Sequence, residues 1–186
     1  MKISILGQSG IAGSRHLKTA LEYGCEVVEP DSADVVVIAF PDNLHARYVI
    51  RHLAQGQAVF CEKPIATKKD DLDRIIGLSR KAPLSCHLPL REKADAFNIT
   101  GDSVDLLYDY GRRDKFLGSW RNSGDYNLVM GGGIHLMDLA MRKFGMAWSE
   151  CKTVYRQTIS PQAKCPDRFS GSFRLNGIRG ILKVDF

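Results

Sequence analysis

The run Asp34-Val35-Val36-Val37-Ile38-Ala39-Phe40 constrains this chain more than any other stretch. A short, unbroken apolar segment rich in β-branched residues is the pattern of a strand buried on both faces of a parallel sheet. A parallel sheet needs crossover connections, so strands and helices should alternate around it. The neighbouring sequence obliges. Lys2 to Leu6 alternates and breaks at glycine, a strand signal, and Arg15 to Leu21 reads as a helix. Downstream, Pro41-Asp42-Asn43-Leu44-His45 caps a helix over Ala46 to Gln55, with Asp42 or Asn43 as N-cap. Ala58 to Cys61 is the next strand. Thr67 caps a helix from Lys68 to Lys81, and Leu84 to Leu88 closes this half.

Gly7-Gln8-Ser9-Gly10-Ile11-Ala12-Gly13 joins the first strand to the first helix. A strand, a glycine turn and a helix open a dinucleotide-binding fold, in which the helix N-terminus offers N–H groups and a positive dipole end to a pyrophosphate. The spacing departs from G-x-G-x-x-G, and a tight turn needing only conformational freedom would use the same glycines. A second strand is expected at Glu26-Val27-Val28-Glu29. An acidic residue about 20 positions after the glycines is where adenosine ribose hydroxyls are held. Glu29 fits, with Asp31 in reserve, and a carboxylate there favours NAD over NADP. Only Pro30 to Ala33 separate this segment from the apolar run, whereas a parallel crossover needs about a dozen residues. Either one βα unit is missing or the Glu26 segment is not an independent strand.

Val59-Phe60-Cys61 ends in Glu62-Lys63-Pro64. Open α/β sheets place their chemistry beyond the carboxyl ends of the strands, so Lys63 is delivered to that rim as a candidate proton donor. After Arg91 the texture changes. Val104 to Tyr108 reads as a strand, and a basic loop with Trp120-Arg121 follows. Gly131-Gly132-Gly133 opens a helix over Ile134 to Met141. Thr153 to Gln157, Phe169 to Leu175 and Gly180 to Phe186 read as strands, with Asn176-Gly177 as a hairpin signal. The expected fold is α/β: a pruned Rossmann-type parallel sheet over 1–92 and a smaller, mostly antiparallel α+β domain over 93–186.

Charge and cysteine usage narrow the function classes. The net charge of +5 comes from lysines and arginines spread along the chain, without aromatic interleaving, which favours anionic small molecules over nucleic acid. No apolar run is long enough to span a membrane, and the start reads as a strand rather than a signal peptide. Five scattered cysteines without a Cys-x-x-Cys pair suit a reducing cytoplasm better than a disulfide frame or a zinc site. No metal is expected.

Pro41-Asp42-Asn43-Leu44-His45, Cys61-Glu62-Lys63-Pro64-Ile65-Ala66 and Gly133-Ile134-His135 with Asp138 together resemble the Gfo/Idh/MocA family of NAD(P)-dependent oxidoreductases. Gly7-Gln8-Ser9-Gly10 with Arg15-His16, Leu88-Pro89-Leu90-Arg91 and Leu117-Gly118-Ser119-Trp120-Arg121 are most similar to its UDP-N-acetylglucosaminuronate 3-dehydrogenase branch. The resemblance implies hydride transfer between a nucleotide-sugar C3 hydroxyl or ketone and NAD. It implies cofactor contacts from Gly7, Ser9, Gly10, Ile11, Ala12, Glu29, Phe40, Pro41, Asn43, His45, Glu62 and Lys63. Lys63 and His135 become the acid/base pair, since histidine and a tuned lysine can both exchange a proton near neutrality. Arg91, Trp120 and Arg121 join Lys63 and His135 on the substrate side, where arginine forks suit carboxylate and pyrophosphate. Asp138 orients His135 or serves a cap.

Two departures stand against the pattern. The family often carries Asp or Asn four residues before the histidine, where this chain has Gly131, and the second βα unit is absent. A catalytically poor relative serving as a nucleotide-binding or scaffold protein is the alternative these departures raise. The C-terminal sheet is short and needs cover, which points to a homo-oligomer through that sheet.

Overall fold

The structure is a computed structural model and describes residues 1–96, 101–109, 111, 116–122 and 126–185. The chain divides into two compact units, Met1–His87 and Leu88–Phe186.

The first unit alternates strand and helix: β1 Lys2–Leu6, α1 Ile11–Glu22, β2 Glu26–Val27, β3 Val35–Ile38, α2 Asp42–Ala54, β4 Ala58–Cys61, α3 Lys69–Ser79 and β5 Leu84–Cys86. The five strands form one parallel sheet in the order β2-β1-β3-β4-β5. Alternate side chains of β3 serve opposite faces. Val36 and Ile38 pack with Val49 and Leu53 of α2, Val59 of β4 and Ile75 of α3, whereas Val37 packs with Ile3, Ile5 and Ala20 of α1. The apolar run is therefore covered from both sides, and each fully buried Val or Ile contributes about 1.5–3 kcal/mol.

The boundaries differ from expectation in two informative places. Helix α2 begins at Asp42 with Pro41 as its N-cap, so the residues expected to cap it form its first turn instead. There the Asp42 carboxylate complements the helix dipole. Strand β2 is only two residues long rather than four, with Glu26 opposite Lys2 and Val27 opposite Ile3. It pairs with β1 on the side away from β3, so β2 and β3 are never neighbours. Because Val35 is also level with Ile3, the chain leaves β2 at the height where β3 starts. A 3-10 turn, Pro30–Ser32, suffices where a full crossover helix would otherwise be needed.

The second unit contains α4 Pro89–Glu92, β6 Ser103–Asp109, a π-helical turn Val129–Gly133 running into α5 Ile134–Phe144, β7 Trp148–Gln157, β8 Arg168–Leu175 and β9 Ile178–Asp185. Its sheet has the order β6-β9-β8-β7, with β6 and β9 parallel and the other pairs antiparallel. Asn176 and Gly177, both at positive φ, make the tight turn between β8 and β9 as the dipeptide predicts. Strand β7 is twice the length expected. Nearly all its residues are exposed and two register shifts interrupt it, so it carries no period-2 pattern to read. Along β9, Gly180, Leu182 and Val184 point into the core while Arg179, Ile181 and Lys183 are exposed. The expected last strand residue, Phe186, lies outside the described residues.

Candidate functional site: a strand-end rim and a histidine helix

In the first unit the site is built where β1 and β4 end. The turn after β1 closes with the Gly10 N–H donating to the Gly7 carbonyl at 3.0 Å, and α1 starts at Ile11. A side chain at Gly13 would place its Cβ 2.1 Å from the Gly7 carbonyl oxygen, so the first turn of α1 can approach the strand end only with glycine there. Gly10, the N-cap, makes no side-chain cap hydrogen bond, and the first turn of α1 has no acidic residue. The leading N–H groups of a helix have no intrahelical acceptor. Ser9, Gly10 and Ile11 are exposed around them. The arrangement fits a pyrophosphate.

Strand β4 delivers Glu62 and Lys63 to the same rim. His16 of α1 and Glu62 meet at 2.8 Å between Nε2 and Oε1, both partly buried. Phe60 lies edge-on to His16 with ring centroids 5.4 Å apart, and the His87 ring is 6.4 Å from it on a tilt. Burial works to raise the Glu62 carboxyl, but the His16 hydrogen bond and the charges of His16, His87 and Lys63 outweigh it. The net effect holds the carboxyl below its ordinary value. Glu62 is therefore a fixed anion beside the lysine. Cys61, one residue earlier, is the opposite case: burial, then Cys86, Glu62 and Asp42, push its thiol far up and leave it without nucleophilic character.

Lys63 is half-buried, and its peptide bond to Pro64 is cis. His45 of α2 lies beneath this turn, 1% exposed, with Nδ1 2.7 Å from the Pro64 carbonyl and Nε2 2.6 Å from the Phe40 carbonyl. Both ring nitrogens are thus committed to backbone, and His45 fastens the end of β3 to the lysine turn. The expectation that His45 contacts the cofactor is corrected: a buried ring with both edges engaged presents nothing to a ligand. Phe40 stacks on Tyr48 at 4.6 Å, and Pro41 and Asn43 open α2 at this rim.

Glu29 stands two residues past the end of β2. It precedes Pro30, whose carbonyl accepts a 2.7 Å hydrogen bond from Gln57 Nε2, and Gln57 directly precedes β4. His52 Nδ1 fixes Gln57 in turn at 2.7 Å. The Pro30 carbonyl is thus tied to the start of β4, while Glu29, extended and exposed, follows Val28, whose N–H still donates to the Ile3 carbonyl at 3.0 Å.

In the second unit, His135 sits half-buried in the first turn of α5. Gly131 precedes it by four residues, on the same helix face. A Cβ at Gly131 would lie 1.7 Å from the Tyr126 hydroxyl oxygen. The phenol therefore fills the space a side chain at that position would take. Tyr126, 7% exposed, is the residue that sequence reading missed; nothing in its spacing marks it, because the segment before the π-turn has no periodicity. Asp138 takes neither role expected of it. Its carboxylate accepts from Arg91 Nε at 3.2 Å and from a second Arg91 guanidinium nitrogen, joining α5 to α4. Arg91 is thus braced by a two-point fork rather than offered whole to a ligand. The Arg121 guanidinium lies 4.8 Å from the Trp120 ring centroid, and Trp120 meets Tyr126 edge-on at 5.7 Å. These three form a partly exposed cationic and aromatic shelf. Among the described residues no group of three His, Cys, Asp or Glu side chains could hold a metal.

Residues 14–88 match the profile of the Gfo/Idh/MocA oxidoreductase family, described as an NAD-binding Rossmann fold. The matched residues make up most of the first unit. An uncharacterized oxidoreductase of Schizosaccharomyces pombe is 23% identical over 158 residues, which cover 77% of this chain and 43% of that protein. The match thus spans somewhat less than half the length of this curated relative. Two solved structures share the fold over the whole chain. The WlbA dehydrogenase from Chromobacterium violaceum, in complex with NADH and UDP-GlcNAcA, gives a TM-score of 0.81 at 18% identity, with 67% of its length covered. The WlbA (WbpB) dehydrogenase from Thermus thermophilus, in complex with NAD and alpha-ketoglutarate, gives 0.78 at 22% identity, with 74% covered. No helix among the described residues is long and apolar enough to cross a membrane.

Proposed function

We propose that the protein is an NAD-dependent oxidoreductase acting on a hydroxyl or ketone of a nucleotide sugar, at C3 of a UDP-N-acetylglucosaminuronate-like substrate. The observation that carries this reading is the rim of the first unit: an uncapped helix N-terminus beside a lysine turn fixed by two separate histidines. Gly7, Gly10 and the first N–H groups of α1 hold the pyrophosphate. NAD held there would supply the hydride acceptor for oxidation of the sugar hydroxyl to a ketone, and its reduced form the donor for the reverse reaction.

The chain's own residues manage the proton. Lys63 takes the hydroxyl proton during oxidation and gives it back during reduction, and His135 is the second unit's candidate for the same acid/base role. Glu62, kept anionic, sits next in sequence to Lys63 and favours its charged form, while His45 holds the turn that carries it. On the substrate side, the Trp120–Arg121 shelf offers a stacking face and a guanidinium for a nucleotide and its phosphates. The edge strand β7, exposed along nearly its whole length, supports pairing of copies through the second unit's sheet.

Purified protein with NAD and a panel of UDP-sugars should produce absorbance from NADH. Lys63→Ala and His135→Ala should each lower that rate by about 100-fold or more while leaving thermal stability close to the parent. Silence across the panel, in both directions, overturns the reading.

A further inference from the structure

We propose that Asn122 is the positioning residue of the Trp120–Arg121 shelf, so that nucleotide binding there depends on its carboxamide. The inference rests on the reading of that shelf as the nucleotide side of the site and names the side chain that holds it in shape. Trp120 is exposed and lies in a turn, outside the described helices and strands. A turn that presents a ligand-facing side chain has to be fixed by other bonds. Where it is not, the ligand must order it, and that cost is subtracted from affinity.

The Asn122 carboxamide is engaged on both sides. Its Nδ2 donates to the Leu117 carbonyl at 3.1 Å, within the shelf segment, and to the Gln162 carbonyl at 3.0 Å, 40 residues away. Its Oδ1 accepts from the Lys164 N–H at 2.6 Å. Carbonyls at the nitrogen and an N–H at the oxygen decide which way the amide points. The Arg121 peptide beside it is held as well. Its N–H donates to Ser119 Oγ at 3.2 Å, and its carbonyl accepts from the Cys165 thiol at 3.6 Å. The guanidinium over Trp120 therefore starts from a fixed backbone.

The segment that Asn122 grips is itself anchored. Asp167, fully buried, accepts from the Ile159 and Ser160 N–H groups at 2.6 and 3.0 Å. Its own N–H donates to the carbonyl of Gln157, the last residue of β7, and the Ala163 N–H returns to the Ser160 carbonyl, each at 3.0 Å. The connection from β7 to β8 is thus knitted to itself and to the strand, and Asn122 joins the shelf to it by two hydrogen bonds. Phe116, at the root of the shelf segment, and Cys165 share one buried apolar cluster. Both roots stay packed when the carboxamide is removed, so its loss should loosen the shelf and leave the unit folded.

Calorimetric titration of the full chain with UDP tests the assignment. Asn122→Leu keeps the shape of the side chain without its hydrogen bonds, and Asn122→Ala removes both. Each should weaken UDP binding by about five- to tenfold, the scale of one or two lost hydrogen bonds, with NAD binding within about twofold of the parent. Two readouts separate positioning from a merely structural role. In a Trp148→Phe background Trp120 is the one tryptophan left, and Asn122→Leu should move its emission to the red before any ligand is added. In an Arg121→Ala background the same substitution should cost at most about twofold more, because the group it positions is gone. Unchanged UDP affinity, unmoved Trp120 emission, a loss that persists in full beside Arg121→Ala, or failure of both Asn122 variants to fold overturns the inference alone. A parent that does not bind UDP, or binds it equally well with Arg121→Ala, defeats the shelf reading together with it.

Discussion

His16 Nε2 lies 2.8 Å from Glu62 Oε1, which ties the helix after the glycine turn to the strand end that carries Lys63. The pyrophosphate end and the reacting end of the proposed site are thus held in one frame by a single hydrogen bond. Replacing His16 with Phe preserves the packing on Phe60 but removes that bond. The expected result is NAD binding weakened severalfold, in line with about 0.5–1.5 kcal/mol for a lost hydrogen bond, measured by calorimetry.

The same pair sets an acid limit on stability. Glu62 has a folded-state value lowered from its ordinary one, so the folded state binds its proton less readily than the unfolded chain. Its contribution is therefore complete above the unfolded carboxylate value of about 4.3 and is lost as pH falls through the lower folded value. Glu62→Gln should flatten the fall of urea midpoints with pH in that acid window and leave the slope above pH 6 unchanged. Denaturation curves collected across the window check both halves.

Gly131 and Tyr126 occupy one volume between them, since a Cβ at 131 would lie 1.7 Å from the phenol oxygen and 2.5 Å from the ring carbon that bears it. Gly131→Ala should destabilise the second unit by about 1–3 kcal/mol through overpacking. Tyr126→Leu with Gly131→Ala should cost less than the two single changes added together. A double-mutant cycle in urea measures that coupling, and strict additivity would contradict the shared volume.

Asp138 braces Arg91 by a fork, and one side of that fork is largely buried. Asp138→Asn should lower stability by about 1 kcal/mol, since a charge-assisted bond is lost while Arg91 itself stays substantially solvated. Arg91→Lys should behave similarly, because an ammonium cannot reproduce the planar two-point contact. Thermal melts of the two variants test the pair.

The parallel sheet was legible because burial on both faces leaves a mark in sequence, the unbroken run from Val35 to Ile38. The hairpin was legible because only certain residues tolerate two successive positive φ values, and Asn176-Gly177 satisfies them. Lys63 just past the end of β4 and His135 in the first turn of α5 lie where the strand and helix patterns put them. What could not be read depended on contacts between distant segments. The shortness of β2 is set by its register against Ile3, and the burial of His45 by two carbonyls 5 and 19 residues away. Tyr126 became visible only when Gly131 was seen to have no room for a side chain. Asp138 looked like a partner for its own helix and proved to be one for α4.

The meeting of β2 and β3 at the height of Ile3 has a consequence for how this unit can be rebuilt. Residues 29–33 form a seam between two strands that run in the same direction, while Val28 and Asp34 on either side of it still bond to β1. A strand and helix spliced into that seam would lengthen the sheet on its β2 edge without shifting a single existing strand pair. The first unit is in this sense a minimal chassis, one joint away from a larger cofactor-binding domain.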